Sequence, residues 1–503
     1  MSHDQILTIG NHHTSPEEIY RCLKKGAELQ LGKDAVDRIV RCREYLDNTL
    51  QKGGIHYGIN TGFGHLCDVV IKDDQLEQLQ ENLLLSHACG TGDTIPDEIS
   101  RVMLLLKIKN LSLGHSGVRL ELVNRLSDFY NSGASPVVYE QGSLGASGDL
   151  APLAHLCLPL IGAGKVNWKG KTVEAKDYLK ENGWQPMKLA SKEGLALING
   201  TQFSSGYGIC ATVRAKLLLK LANLCAALSL EAFNCQTGPF NPLIHKIRPH
   251  EGQTQVALEV LSWLNESDIN LRDKQHVQDP YSFRCIPQVH GACFDNINNV
   301  YDILNTEINS VSDNPLIFPE EDQILSGGNF HAQPVAFAMD HLALGLCELA
   351  SISERRIYQL INGHRGLPVC LIMDAGINSG FMILQYSAAS VVSLNKQLAT
   401  PASVDTIISS IGQEDHVSMA ANAATKTWKI TKNTFNVLAM EFFTAMQAIS
   451  LRPGIQLSPK VKDLHQEYRK RVSVLEQDRA LSDDVEITKV FLEELFDQWL
   501  DEL

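Results

Sequence analysis

The feature that most constrains the fold of this chain is a set of long segments in which apolar residues return at helical spacing. They run over Ile99–Leu111, Gly194–Phe233, Val289–Ile308, Val335–Leu360, Phe381–Leu398, Val417–Leu451 and Val485–Leu500. An apolar residue every third or fourth position lays a continuous stripe along one helical face, and that stripe must be buried. Strand signals are few and short. The best is Lys165–Glu174, where Gly170 separates two β-prone runs and predicts a small hairpin. No βαβ alternation is read. The predicted class is therefore mainly α, a bundle of long helices with a small mixed region in its N-terminal part. Residues 1–200 are expected to form that N-terminal region, 201–450 the central long-helix bundle and 451–503 a C-terminal helical tail. No internal repeat or low-complexity tract interrupts this plan.

Charge and cysteine usage narrow the function. A formal net charge of −14 argues against nucleic acid or an anionic membrane as the main partner. The apolar stretch Leu221–Leu230 lies between Lys220 and Glu231 and is shorter than the about 20 residues needed to cross a bilayer. Met1–Lys25 has no apolar core of a signal peptide. The 12 cysteines are scattered without a CxxC pair, so free buried thiols are expected, with no zinc knuckle and no redox pair. These points predict a cytoplasmic protein that binds neither nucleic acid nor membrane.

The hexamer Gly145-Ala146-Ser147-Gly148-Asp149-Leu150 offers chemistry that unmodified side chains lack. If the backbone folds back tightly, the Gly148 nitrogen can attack the Ala146 carbonyl. Loss of two waters then leaves a five-membered imidazolone ring with a methylidene made from Ser147, a strong electrophile. Glycine permits the turn and exposes its nitrogen, serine carries a β-hydroxyl that can leave, and alanine is small. Such a group is a built-in cofactor, so neither an external organic cofactor nor a metal is required. The plainer reading is a loop entering a helix, with Ser147 or Asp149 as cap and Pro152 in the first turn.

Other motifs fail on spacing. Gly170-Lys171-Thr172 lacks the upstream glycine of a P-loop, since position 165 is Lys165. Gly145-x-Ser147-x-Asp149 misses the second glycine of a hydrolase elbow. The glycines of Tyr57-Gly58-Ile59-Asn60-Thr61-Gly62-Phe63-Gly64 have no strand–helix frame, which argues against a dinucleotide. The histidines show no HExxH spacing.

Polar residues stand out elsewhere in apolar or glycine-rich surroundings: Tyr57 in YGINTGFG, His87 in LLLSHACGTGD, Asn199 in ALINGTQ, Gln278, Tyr281 and Arg284 in QDPYSFR, Phe330 in GNFHAQP and Glu414 in GQEDHVSM. Taken singly, each has an ordinary explanation as a core, capping, loop or surface residue. Together with the Ala-Ser-Gly loop, from Tyr57 to Met419 and in this order, they resemble the aromatic amino acid ammonia-lyases of the methylidene-imidazolone class. The likeness is strongest to the branch that acts on histidine.

That resemblance implies a mainly α fold of the ammonia-lyase and fumarase-like type. It implies a homotetramer whose active sites each draw on more than one subunit, and unaided cyclisation of Ala146, Ser147 and Gly148 to 4-methylidene-imidazol-5-one. The implied reaction removes ammonia from L-histidine to give trans-urocanate. Tyr57 matches the base that takes the β-proton, although a tyrosine pKa of about 10 would have to be lowered by the site. Arg284, helped by Asn199, would clamp the substrate carboxylate. Gln278 and Tyr281 would orient the adduct, and Phe330 would pack against it or the substrate. His87 and Glu414 would meet the two imidazole nitrogens, whereas a buried glutamate beside a bare phenyl ring would be unpaired and costly. A tyrosine or phenylalanine ammonia-lyase, or an aminomutase, shares the fold and the electrophile. Two departures stand out: Gln333 where the family has glutamate, and His65-Leu66-Cys67 after the Tyr57 motif.

Overall fold

The computed structural model describes residues 6–10, 12–62, 69–274 and 276–502. They fall into two compact units. The first comprises Met1–Cys210, Tyr301–Asp340 and Pro401–Thr425, the second Ala211–Val300, His341–Thr400 and Lys426–Leu503. Four of the boundaries fall inside helices, Gln202–Phe233, Ile286–Glu307, Gln333–Ile361 and Ala420–Ser450, and the one between Thr400 and Pro401 lies just after Met382–Leu398.

In the first unit the core helix is Asp97–Ser112, buried along almost its whole length. Pro16–Lys25, Lys33–Gln51 and Leu120–Asn131 pack around it. Pro16–Lys25 shows how local chemistry sets an element. Ser15 caps it by accepting from the Glu18 N–H, Pro16 opens it, and Gly26 closes it in the left-handed region at φ 66°. Acidic residues in its first turn and lysines in its last oppose the helix dipole correctly.

The predicted hairpin is present as Lys165–Trp168 paired antiparallel with Lys171–Glu174. Ser135–Pro136 adds a third strand to it. The absence of βαβ alternation needs one correction. Ile6–Ile9 and Glu28–Leu31 pair in parallel across helix Pro16–Lys25. Each strand is four residues long and half-exposed, too short to give a periodic signal.

Each of the seven predicted runs lies on observed helix, with one informative break. The run Gly194–Phe233 divides into Glu193–Ile198 and Gln202–Phe233. Gly200, at φ 115°, turns its carbonyl to accept from the Asp149 N–H at 2.7 Å. The Asp149 carboxylate then caps the second helix, accepting from the Phe203 and Ser204 N–H groups at 2.9 and 3.0 Å.

The second unit is built from the remaining stretches of the long helices with Glu251–Trp263, Met382–Leu398, Pro459–Arg469 and Leu481–Leu500. Arg356 and Glu441, both with fully buried side chains, form a two-pronged ion pair at 2.5 and 2.8 Å. Ser229 donates to the same carboxylate, which keeps the buried charges satisfied. The C-terminal helices are tied by aromatic contacts of Tyr468 with Phe442 and Phe491. Gln333–Ile361 is long and apolar enough to cross a membrane, but its apolar window is 67% buried within the fold.

Candidate active site

The Gly145–Leu150 loop is held in an unusual shape. Gly145 and Gly148 sit at φ 65° and 78°, and Leu150 at φ 28°. The Gly145 carbonyl accepts from Ser418 Oγ at 2.8 Å, and the Leu144 carbonyl from the Met419 N–H at 2.8 Å. Gly148 lies directly against Gly200 in a parallel bridge, and a Cβ added there would stand 2.3 Å from the Gly200 oxygen. Asn199 Nδ2 donates to the Ser147 carbonyl at 3.1 Å. The tripeptide Ala146-Ser147-Gly148 thus fits ring closure: its flanks are pinned, and its glycine is where only glycine fits.

Behind the loop, Lys107 is fully buried and donates to the carbonyls of Asn199 and Ala196 at 2.7 and 3.1 Å. Burial holds its ammonium pKa down to about 8. Burial also raises the Asp149 carboxyl to about 6, against the donors from Ser204, Phe203 and Ser143. Lys192 and Asp313 form a second fully buried ion pair at 2.8 Å.

In front of the loop, Ser147 Oγ donates to Glu414 Oε1 at 2.5 Å. Two adjoining cavities, of about 330 and 600 Å³, share Tyr57, Ala146, Ser147, Leu195, Asn199 and Glu414 in their walls. Phe330 and His331 line the smaller, and His87 and Gly148 the larger. Burial lowers the His87 imidazole pKa, while a backbone contact at Leu83 and the Glu414 carboxylate oppose that shift. Asn199 Oδ1 is buried without a partner.

Eight of the eleven predicted residues are therefore gathered in the first unit: Tyr57, His87, Ala146, Ser147, Gly148, Asn199, Phe330 and Glu414. Gln278, Tyr281 and Arg284 belong to the second unit and line neither cavity. Tyr281 is 70% exposed, and the Arg284 guanidinium lies 4.5 Å over its ring. The Arg284 Nε is buried without a hydrogen-bond partner. Asp279 anchors this segment by pairing with Arg365 and His276, and the Gln278 carbonyl accepts from Arg365 at 3.2 Å. Gln333 opens its helix and lines neither cavity. The His65-Leu66-Cys67 departure lies outside the described residues.

Sequence reasoning missed Lys107, which stands as a charge inside the apolar run LLLKIKN, a pattern that itself marks a buried, partnered lysine. It also passed over His331 and His416, whose rings stack at 5.9 Å beside the smaller cavity. Both sit inside the motifs that supplied Phe330 and Glu414. Among the described residues, no group of three or more His, Cys, Asp or Glu side chains is placed to hold a metal.

The model of the aromatic amino acid lyase family matches residues 14–470. A histidine ammonia-lyase of Treponema denticola is 47% identical over 482 residues, 95% of each chain. Among solved structures, the histidine ammonia-lyase of Trypanosoma cruzi superposes with a TM-score of 0.92 at 38% identity, covering 99% of this chain and 95% of that one. The tyrosine aminomutase of Streptomyces globisporus superposes with a TM-score of 0.93 at 32% identity, covering 99% and 98%.

Proposed function

The chain belongs to the aromatic amino acid lyase family, and on that premise we propose that it deaminates L-histidine to trans-urocanate and ammonia. The observation that carries this reading is the meeting of Ser147 with Glu414 at 2.5 Å, in cavities that Tyr57 and His87 also line. The 47% identity to a histidine ammonia-lyase supports it. An aminomutase draws less support, since the tyrosine aminomutase of Streptomyces globisporus is 32% identical.

The reaction is difficult because the β-hydrogen of histidine is barely acidic and its amino group leaves poorly. The 4-methylidene-imidazol-5-one formed from Ala146, Ser147 and Gly148 supplies an electrophilic carbon that turns the amine into a better leaving group. The remaining work falls to side chains. Tyr57 takes the β-proton. His87, kept neutral by burial, and Glu414 receive the two imidazole nitrogens. A phenyl ring would leave that carboxylate unpaired, which is the physical basis of the preference for histidine. Asn199 holds the Ser147 carbonyl with its Nδ2. Phe330 packs against the bound substrate.

Arg284 clamps the substrate carboxylate, with Gln278 and Tyr281 beside it, in the site of a neighbouring copy. The unsatisfied Nε of Arg284 suits an incoming anion. The working form in this reading is a cytoplasmic homotetramer. The test is direct: incubate the purified chain with L-histidine and follow the ultraviolet absorbance of the conjugated product. Growth of a urocanate band is expected. Silence with histidine, together with a cinnamate or coumarate band from phenylalanine or tyrosine, would overturn the roles given to His87 and Glu414. Detection of a β-amino acid product would point to the aminomutase.

A further inference from the structure

The turn that carries Glu414 is closed in a way the reaction itself does not require. Ser409 and Glu414 face each other across an antiparallel bridge, with Ser409 N–H donating to the Glu414 carbonyl at 2.8 Å and the Glu414 N–H donating back at 3.3 Å. Between them Ser410, Ile411 and Gly412 are all left-handed, at φ 51°, 55° and 90°. A β-branched isoleucine in that region is a genuine outlier, and Ile411 is 82% exposed, so no burial of its side chain offsets the strain. Strain of this kind persists where surrounding contacts over-determine a functional geometry. Here the geometry brings Ser409 Oγ to Glu414 Oε2, to which it donates at 2.9 Å.

The two carboxylate oxygens are therefore treated differently. Oε2 is held by the chain through Ser409. Oε1 accepts from Ser147 Oγ, a group that ring formation removes. The balance of that step is simple. One water takes the Ala146 oxygen with the hydrogens of the Gly148 and Ser147 nitrogens, as the Gly148 N to Ala146 C bond forms. The second takes the Ser147 hydroxyl and its α-hydrogen, leaving a Cα=Cβ double bond. When the second water leaves, Oε1 loses this donor and faces the cavity, while Oε2 keeps its own.

Resting on the histidine reading above, we infer that Ser409 is a positioning residue for substrate recognition. It locks the Glu414 carboxylate so that maturation of Ser147 exposes one fixed oxygen to accept the imidazole N–H. Without Ser409 the terminal torsion of a glutamate is broad and nearly two-fold, and neither oxygen is held in place. A carboxylate free to rotate must be ordered by the substrate, at a cost to binding.

The experiment compares the full chain with Ser409→Ala and Ser409→Thr. Intact mass reports the loss of two waters. Turnover of L-histidine gives kcat and KM. Inhibition by trans-urocanate and by trans-cinnamate separates contact with imidazole from contact with the rest of the ligand. The expected result is a full mass deficit in Ser409→Ala, with kcat/KM for histidine lowered about tenfold, the lower range for one hydrogen bond to a charged acceptor. Urocanate inhibition weakens by a similar factor, cinnamate inhibition does not, and Ser409→Thr restores both values. A Ser409→Ala variant within twofold of wild type, or one in which urocanate and cinnamate weaken equally, overturns the inference. Loss of the mass deficit in that variant overturns it in favour of a role in maturation. A wild-type chain that carries the deficit yet leaves histidine untouched defeats the histidine reading itself and takes this inference with it.

Discussion

Gly148→Ala tests whether formation of the proposed electrophile depends on backbone contact behind the loop. The added Cβ would lie 2.3, 2.4 and 2.8 Å from the oxygen, nitrogen and carbonyl carbon of Gly200. The nearest stands 0.7 Å inside the 3.0 Å below which real Cβ atoms essentially never approach. All three neighbours are backbone atoms, so no rotamer change relieves the clash. Gly200 is itself tied to the loop through the Asp149 N–H, and Asn199 beside it holds the Ser147 carbonyl. The cost has two parts: roughly 1–2 kcal/mol for an alanine at φ 78°, and roughly 1–3 kcal/mol for overpacking. Their total is below the roughly 5–15 kcal/mol that keeps a typical chain folded, so the variant should fold with the loop pushed off Gly200. Gly170→Ala is the control, because its φ is 76° but nothing lies within 4 Å of the added Cβ. Intact mass, thermal unfolding and urocanate formation are read for both. The expectation is that Gly148→Ala loses most of the two-water deficit and at least about 100-fold in turnover, whereas Gly170→Ala loses a little stability and nothing else. A Gly148→Ala protein with the full deficit and wild-type turnover would refute the claim that the Gly200 contact shapes the loop.

Glu414→Gln should keep the mass deficit and lower kcat/KM for histidine by roughly 30- to 100-fold, the loss of one charge-assisted contact; an equal loss on any phenylalanine or tyrosine turnover would argue against its role in specificity. Lys107→Met gives a test in pH. In the folded chain Lys107 titrates near 8, below its unfolded value of about 10.4. Between those values the unfolded state binds more protons, so the contribution of Lys107 to stability rises with pH. Denaturant unfolding of wild type relative to Lys107→Met should gain on the order of 3 kcal/mol from pH 8 to 10.5, and a flat difference would contradict the buried ammonium. Asp279→Asn removes the carboxylate, 1% exposed, that pairs with Arg365 and His276. It should destabilise the chain by about 3 kcal/mol and raise KM for histidine more than it lowers kcat, through the loosened Arg284 segment; unchanged stability and KM would count against that anchor.

The long helices were legible because burial repeats along them. Each predicted run lies on an observed helix, and even the one misjudged join, at Asn199-Gly200-Thr201, has its cause in a residue the sequence reading had already singled out. Asp149 supplies the cap that starts Gln202–Phe233, but a cap that reaches amides 54 and 55 positions away leaves no local pattern. The parallel pair Ile6–Ile9 and Glu28–Leu31 was invisible for a related reason, since four half-exposed residues carry too little alternation and no tight turn joins the two strands, as Gly170 joins those of the predicted hairpin. Within the candidate site, residue types with unusual chemistry stand out in the sequence, whereas residues whose proposed part is to position others do not. Ser409 is an ordinary serine in an ordinary string, and only the left-handed turn after it brings its hydroxyl to Glu414. Lys107 is the exception that a sequence reading could have caught, because an ammonium in an apolar helix must find carbonyls or lose its charge.

That Arg284 and the Ser147 cavities belong to different units bears on how the proposed site is assembled. Ser147, Tyr57 and Glu414 line shared walls in the first unit, while Arg284 belongs to the second and keeps an unsatisfied buried nitrogen. If Arg284 serves a neighbouring copy, a chain lacking Ser147 still carries a usable clamp, and a chain lacking Arg284 still carries a usable electrophile. Ser147→Ala and Arg284→Ala should each be folded and essentially inactive alone. In the proposed tetramer, chains co-expressed in equal amounts would assort at random, and about one site in four would receive an intact Ser147 loop from one copy and an intact Arg284 from another. Histidine turnover near a quarter of wild type is therefore expected from the mixture, with intact mass showing the two-water deficit only in the Arg284→Ala chains. If both residues act within one chain, no mixture holds a complete site and turnover stays at the level of the single variants, so recovery distinguishes a shared site from a self-contained one.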